Sequence, residues 1–323
     1  MKALKLNQTN HPFVLSEVEA PSPFGKNKVV SIKAAALNHR DLWIQQGQYA
    51  GIKTPIILGS DGAGIWNRKK VIILPSLNWS QQSPFPPKNF KILGLPDDGT
   101  FAEKVLVPEK NIFPMPKHLS FAQAAALPLA GLTAYRVLFS RCQLKKKDSV
   151  LISGIGGGVA LMAFQFAVAN GNEVWVTSSS KTKIKKAIQL GAKGGILYSD
   201  GDWHKKLLKK AGGFDVIIDS AAGDGFGQLI KVANSGARIG IYGGTRGKMN
   251  GIIPQMVFWK QLSILGSTMG SRQEFAKMLQ FVQKYKIVPV IDQVYKLKDG
   301  NKAFQKMASG KQFGKLVLEM KGA

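Results

Sequence analysis

Between residues 148 and 268, six short apolar runs alternate with helix-compatible runs. SVLIS precedes VALMAFQFAVA, EVWVTS precedes KTKIKKAIQLGA, GILY precedes DWHKKLLKKA and DVIIDS precedes FGQLIKVANS, before ARIGIYG and LSILGS close the series. Neighbouring strands that run the same way need a crossover, and a helix is the usual one. This alternation therefore predicts an α/β doubly wound parallel sheet over residues 119–268. Residues 1–118 read differently: VVSIKAAALN, KKVIILP and FAEKVLVP, set among Gly and Pro turns, predict a β-rich, barrel-like domain. The remaining residues, 269–323, predict helices over Gln273–Tyr285 and Gly300–Ser309. Strands are expected near Val290–Tyr295 and Gly314–Glu319, completing the sheet of the first domain. Pro75–Pro96, rich in Pro, Ser and Asn, is expected to be a long surface excursion.

The first strand of the series ends in SGIGGGVA. Glycines let the backbone approach a pyrophosphate, and the helix that follows points unpaired N–H groups and its positive dipole end at the anion. Gly154, Gly156, Gly157 and Gly158 are thus candidate phosphate contacts; the competing reading is a turn that only lets helix and strand pack closely. About 20 residues on, where an NAD-binding unit usually carries an acid for the ribose hydroxyls, stand Ser178, Ser179 and Ser180, followed by Lys181 and Lys183. Hydroxyls and ammonium groups suit a 2′-phosphate that a carboxylate would repel, so NADP(H) is expected over NAD(H). Otherwise the two lysines are ordinary solvated residues of the next helix's first turn.

The formal net charge is +26, from 45 Lys and Arg against 19 Asp and Glu. The lysines fall in short helical bursts without interleaved aromatics, which favours a solvated surface and leaves a polyanion such as nucleic acid as the alternative. The start of the chain has no apolar run of signal-peptide length, and no stretch reaches the roughly 18 apolar residues of a membrane span, so a cytoplasmic protein is expected. Cys142, the single cysteine, allows no internal disulfide and is expected to pack. The four histidines stand apart from one another, and no metal site is readable. One polar cluster remains, NHRDLWIQQGQY at 38–49 followed by ILGSDGAG. Asn38, Asp41, Trp43 and Tyr49 would suit a planar carbonyl substrate, or serve equally as a polar turn.

ALNHRDLW, PIILGSDGAG, DDGTFAEKVLVP, AAALPLAGLTAYRVL, SGIGGGVALMAFQFA, LGSTMGS and FGKLVL, in this order, resemble the landmarks of the medium-chain dehydrogenase/reductase superfamily, in its zinc-free quinone oxidoreductase-like branch. The resemblance runs essentially end to end. It implies a GroES-like catalytic domain from 1–118 and 269–323, a Rossmann domain over 119–268, and a homodimer. A cleft where nicotinamide meets substrate is implied as well.

Zinc members of the superfamily place a cysteine at Asn38 and a His-Glu pair at Ser60–Asp61, so the resemblance implies that the catalytic metal is absent here. It assigns the cofactor to Thr133, Gly157, Gly158, Val159, Ser178, Ser179, Lys183, Tyr198 and Gly243, with Lys183 on the 2′-phosphate. Asn38, Asp41 and Tyr49 become the candidate catalytic residues. Ile155 and Ala160 occupy family glycine positions. The expected activity is NADPH-dependent reduction of quinones or α,β-unsaturated carbonyls. The alternatives are a zinc-less alcohol or aldehyde oxidoreductase, and a catalytically silent NADPH-binding protein that binds polyanions.

Overall fold

The computed structural model describes residues 1–79 and 83–320. The chain divides into two compact units, one of residues 1–132 with 270–323 and one of residues 133–269.

In the second unit the six apolar runs become a fully parallel sheet. Its spatial order is Gly194–Leu197, Val174–Ser178, Val150–Ile152, Phe214–Asp219, Ala233–Ile241, Ser263–Gly266. Chain order reverses on either side of Val150–Ile152, the strand that feeds the glycine turn, and ligands of such sheets bind beyond the strands' carboxyl ends at that point. The helix Gly158–Ala169 is apolar on nearly every side because it is buried nearly all round. Helices Lys181–Gln189 and Trp203–Ala211 are amphipathic and flank the strand at the sheet's edge. The core gathers Leu151, Ile217, Ile239, Phe214 and Phe226, all fully buried.

The first unit is built on a seven-stranded sheet whose main path runs Ile112–Pro114, Lys69–Ile73, Asp61–Trp66, Asn27–Ala36, Lys315–Glu319, Ile291–Lys296. Lys104–Pro108 pairs with the front half of Asn27–Ala36, and the C-terminal strand Lys315–Glu319 takes the back half. Two chain segments far apart in sequence thus share one sheet. The helix Arg272–Tyr285 begins at a reciprocal cap, with Ser271 Oγ accepting from Glu274 N and Glu274 Oε2 accepting from Ser271 N. The helix Phe121–Ala125 lies against Asn27–Ala36 and Asp61–Trp66.

The expected excursion at Pro75–Pro96 is anchored at its two ends: Ser76–Leu77 pairs with Lys91–Ile92, and Leu77, Trp79, Leu93 and Leu95 are buried. Four apolar side chains in a Pro/Ser/Asn-rich stretch suffice to hold its two ends against the unit. Residues 80–82 of the segment lie outside the described residues.

Candidate functional site

In the second unit the glycine turn is stitched to the neighbouring strand: Thr177 Oγ1 accepts from Gly154 N at 3.0 Å and Thr177 O from Ile155 N at 2.8 Å. Gly154 and Gly156 have φ of +69° and +138°, conformations L side chains rarely adopt. Ile155, which stands at a family glycine position, turns its side chain into the core at 2% exposure. Gly157 is the N-cap of the helix Gly158–Ala169, with open space where a Cβ would be.

Lys183 folds back over this turn. A Cβ on Gly156 would meet its Cδ at 3.0 Å and its Nζ at 3.2 Å, so the ammonium stands at the helix N-terminus where an anion is favoured. Ser178 is buried and its Oγ accepts from Ser180 N; Ser180 in turn caps the helix that carries Lys183. Ser179 is exposed. Tyr198 joins Ser178 through its backbone, Tyr198 N donating to Ser178 O at 3.1 Å. Gly243 lies against the neighbouring strand end, where a Cβ would come 3.0 Å from Ser220 O. Val159 is half-buried at the helix start, and Thr133 is buried in the helix Pro128–Tyr135. The structure therefore gathers Gly154–Gly158, Ser178, Lys183 and Tyr198 at adjacent strand ends.

Arg246 belongs with them and was not evident from the sequence. Its guanidinium lies over the Tyr198 ring at 5.7 Å from the centroid, adding a second cation to this corner. The available signal was a lone arginine in the glycine-rich loop GGTRGK.

In the first unit, register builds the other cluster. Ala36 is paired with Asp61 on one side and Val317 on the other, so Asn38, Asp61 and Lys315 converge just past the strand end. Lys315 is 5% exposed, and its Nζ donates to Leu37 O at 2.7 Å, Asn38 Oδ1 at 2.6 Å and Asp61 Oδ2 at 3.0 Å. All three ammonium protons are used. Asn38 Nδ2 donates to the same Asp61 oxygen at 3.0 Å and, more weakly, to Ser60 Oγ at 3.4 Å. The other Asp61 oxygen accepts from Leu129 N at 2.8 Å. Lys315 also escaped the sequence reading, although a lysine inside the apolar strand KLVL cannot be buried without a partner.

Asp41 closes the helix cap begun by Asn38, its Oδ2 accepting from Asn38 N at 2.8 Å. The residue is fully buried, Oδ1 has no hydrogen-bond partner, and the Arg40 guanidinium comes no nearer than 3.8 Å. Burial pushes the Asp41 carboxyl up to about 6, against the opposing pull of Arg40. Arg40 Nη1 donates to Leu93 O, and its guanidinium sits 5.3 Å from the centroid of the half-buried Tyr49 ring.

The Asp41 shift has a sign that can be tested. The folded state holds this proton more tightly than the unfolded chain, so the group's contribution to stability is complete below about pH 4 and is lost as pH rises through about 6. Asp41→Asn should abolish that slope. The measurement is the thermal midpoint of both proteins between pH 4 and 7; a constant difference across that range would refute the shift.

A catalytic zinc does not fit the first unit's cluster. Its donor set is one amide, one hydroxyl and one carboxylate, and the Lys315 ammonium is already bonded to two of the three. Among the described residues, no three His, Cys, Asp or Glu side chains converge. Cys142 is buried in the second unit, and burial pushes its thiol up to about 12, an unreactive packing residue.

Residues 158–284 match the family model of zinc-binding dehydrogenases. A zinc-type alcohol dehydrogenase-like protein of Leptosphaeria maculans is 34% identical over 99% of this chain and 98% of its own. The quinone oxidoreductase of Mus musculus is 29% identical over 98% and 97%. Among solved structures, an NAD-dependent alcohol dehydrogenase superposes with a TM-score of 0.92 at 33% identity, covering 99% of this chain and 100% of that one. With the parallel sheet, the β-rich unit and end-to-end identity of this order, the chain belongs to the medium-chain dehydrogenase/reductase superfamily of oxidoreductases and has quinone oxidoreductase-like relatives.

Proposed function

We propose that this protein is an NADPH-dependent, metal-independent reductase of quinones or α,β-unsaturated carbonyls. The observation that carries the reading is the Lys315 ammonium held between Asn38 and Asp61, in the cluster that the family resemblance gives to a catalytic zinc. Without a Lewis acid nothing lowers the pKa of a simple alcohol, whereas an electron-poor double bond needs only donors near its oxygen. When bound, NADPH supplies the hydride. Gly157, Gly158 and Val159 would hold its pyrophosphate and Ser178, Ser179 and Lys183 its 2′-phosphate, beside Tyr198, whose ring lies under the Arg246 guanidinium. Thr133 and Gly243 are the further cofactor contacts.

In the first unit, Asn38 and Tyr49 orient the acceptor oxygen. The Ser60 contact at 3.4 Å is the weaker of the two made by Asn38 Nδ2, so that N–H is the one for which an acceptor oxygen can compete. Asp41 holds the Asn38 backbone, and Tyr49 or solvent delivers the proton that completes the reduction.

The experiment is an oxidation assay with NADPH and NADH in parallel against quinones, enones and alkenals. Turnover should favour NADPH, and Tyr49→Phe should lower it by about 10-fold or more. An unchanged rate and affinity would remove Tyr49 from the mechanism. The alcohol dehydrogenase-like relatives favour a second reading, oxidation of alcohols or aldehydes. One tightly held zinc per chain together with alcohol oxidation would establish it over the first.

A homodimer belongs to the same proposal. Ser263–Gly266 is the unpaired edge of the second unit's sheet, and the nearby Trp259 and Phe258 are 79% and 52% exposed. An apolar edge of this kind is suited to pairing with its own copy. The cytoplasmic setting rests on the sequence reading alone; no described helix is long and apolar enough to cross a membrane.

A further inference from the structure

The opposite edge of that sheet has a different character. Gly194–Leu197 pairs on one side only, with Val174–Ser178, and its other side lies at the floor of a groove of ≈ 560 Å³ between the helices Lys181–Gln189 and Trp203–Ala211. The first helix lays Ile184 and Ile188 into the groove, the latter 47% exposed. Lys181 and Lys185 stand on the same helix face, while Lys206 and Lys210 line the groove from the second helix. All four are exposed, and Asp200 is the one acid among the lining residues. None of these residues belongs to the cofactor corner, where Lys183 points instead.

We infer that this groove binds an acidic peptide segment, in extended conformation, added as a further strand along Gly194–Leu197. Three features select this occupant. No strand pairs with the open side of the edge, although Leu197 O accepts from Asp200 N; a hydrocarbon chain would desolvate the remaining N–H and C=O groups without replacing their water partners, and an extended peptide would satisfy them. Side chains of an added strand alternate between the two faces of the sheet, so acidic groups at successive positions meet Lys181 and Lys185 on one side and Lys206 and Lys210 on the other. The aliphatic floor of Ile184 and Ile188 accepts apolar residues between them and has no aromatic ring on which a base could stack. The proposal stands apart from the oxidoreductase reading, because it uses neither the cofactor corner nor the Asn38 cluster.

The probe is a fluorescein-labelled peptide of about twelve residues repeating Glu-Glu-Val-Val, which gives each face both an acid and an apolar side chain, titrated with the full-length protein at moderate salt and followed by anisotropy. Saturable binding is expected, with slowed amide hydrogen exchange at 194–197. A peptide of equal charge with every valine replaced by proline should bind about 10-fold more weakly or worse, because every register then turns prolines, which cannot donate, toward the added ladder. Charge reversal at two exposed sites, K185E with K206E, should weaken binding by about 10-fold or more, with the thermal midpoint and NADPH oxidation unchanged. The idea is overturned if the proline peptide, an oligothymidine of equal charge or anionic vesicles bind as tightly as the Glu/Val peptide, since charge alone would then explain capture. Absence of saturable peptide binding overturns it equally, leaving the lysines as a fence that keeps the edge from aggregating.

Discussion

Lys315→Met is expected to destabilise the protein by about 3–5 kcal/mol, the largest loss from any single substitution considered for it. The ammonium is buried and uses all three protons on Leu37 O, Asn38 Oδ1 and Asp61 Oδ2. Methionine has nearly the same shape, so packing is kept and the loss is electrostatic. The Asp61 carboxylate, fully buried, loses its countercharge, and two acceptors lose their donor. An uncompensated buried charge is what makes half a pair worse than none. The double variant Lys315→Met with Asp61→Asn should therefore recover part of the loss, since the orphan charge has been removed with its partner. Thermal and denaturant unfolding of the two singles and the double form a thermodynamic cycle. If Lys315→Met costs less than about 1 kcal/mol, the contact behaves as a surface ion pair and the argument for an internal cation fails.

The second large effect is on cofactor choice. Lys183→Ala should raise the KM for NADPH by about 10- to 100-fold, the range of a charge-assisted hydrogen bond of about 1.5–3 kcal/mol. NADH has no 2′-phosphate, so its KM should change far less. The side chain already lies over the turn, its Nζ 3.2 Å from where a Gly156 Cβ would stand, so little ordering is needed when the phosphate arrives. Equal losses with both cofactors would show that Lys183 supports the pyrophosphate turn generally and does not choose between them. An unchanged ratio with Arg246→Ala would likewise separate Tyr198 and Arg246 from the 2′-phosphate.

The parallel sheet was the most legible part of the chain. Strands such as VLI and VWVTS lie inside a doubly covered sheet, so they are continuous apolar runs, and helices such as GVALMAFQFAVA are apolar because both sides are buried. The glycine turn was legible too, since φ of +69° and +138° at Gly154 and Gly156 restricts the residue choice locally. The first unit's cluster was only half legible. Asn38, Asp41 and Tyr49 sit within one short segment, and their grouping follows from a capped helix. Lys315 comes from a strand 254 residues beyond Asp61, and neither residue alone announces the other. The anchoring of the Pro75–Pro96 excursion was not legible for a related reason: composition reports the average of a segment, whereas four buried side chains decide where its ends lie.

Periodicity, glycine placement and the serines and lysines that follow the second strand are local properties, and from them the sequence alone determined the doubly wound sheet, the phosphate-ready turn and the expectation of a cofactor with an extra phosphate. Tertiary structure decided which charges are shared. The pairing of Ala36 with both Asp61 and Val317 brings a C-terminal lysine to an N-terminal amide and carboxylate, and the adjacent ends of two strands bring Tyr198 to Ser178. Electrostatic partnership depends on distance in space, and sheet register sets that distance.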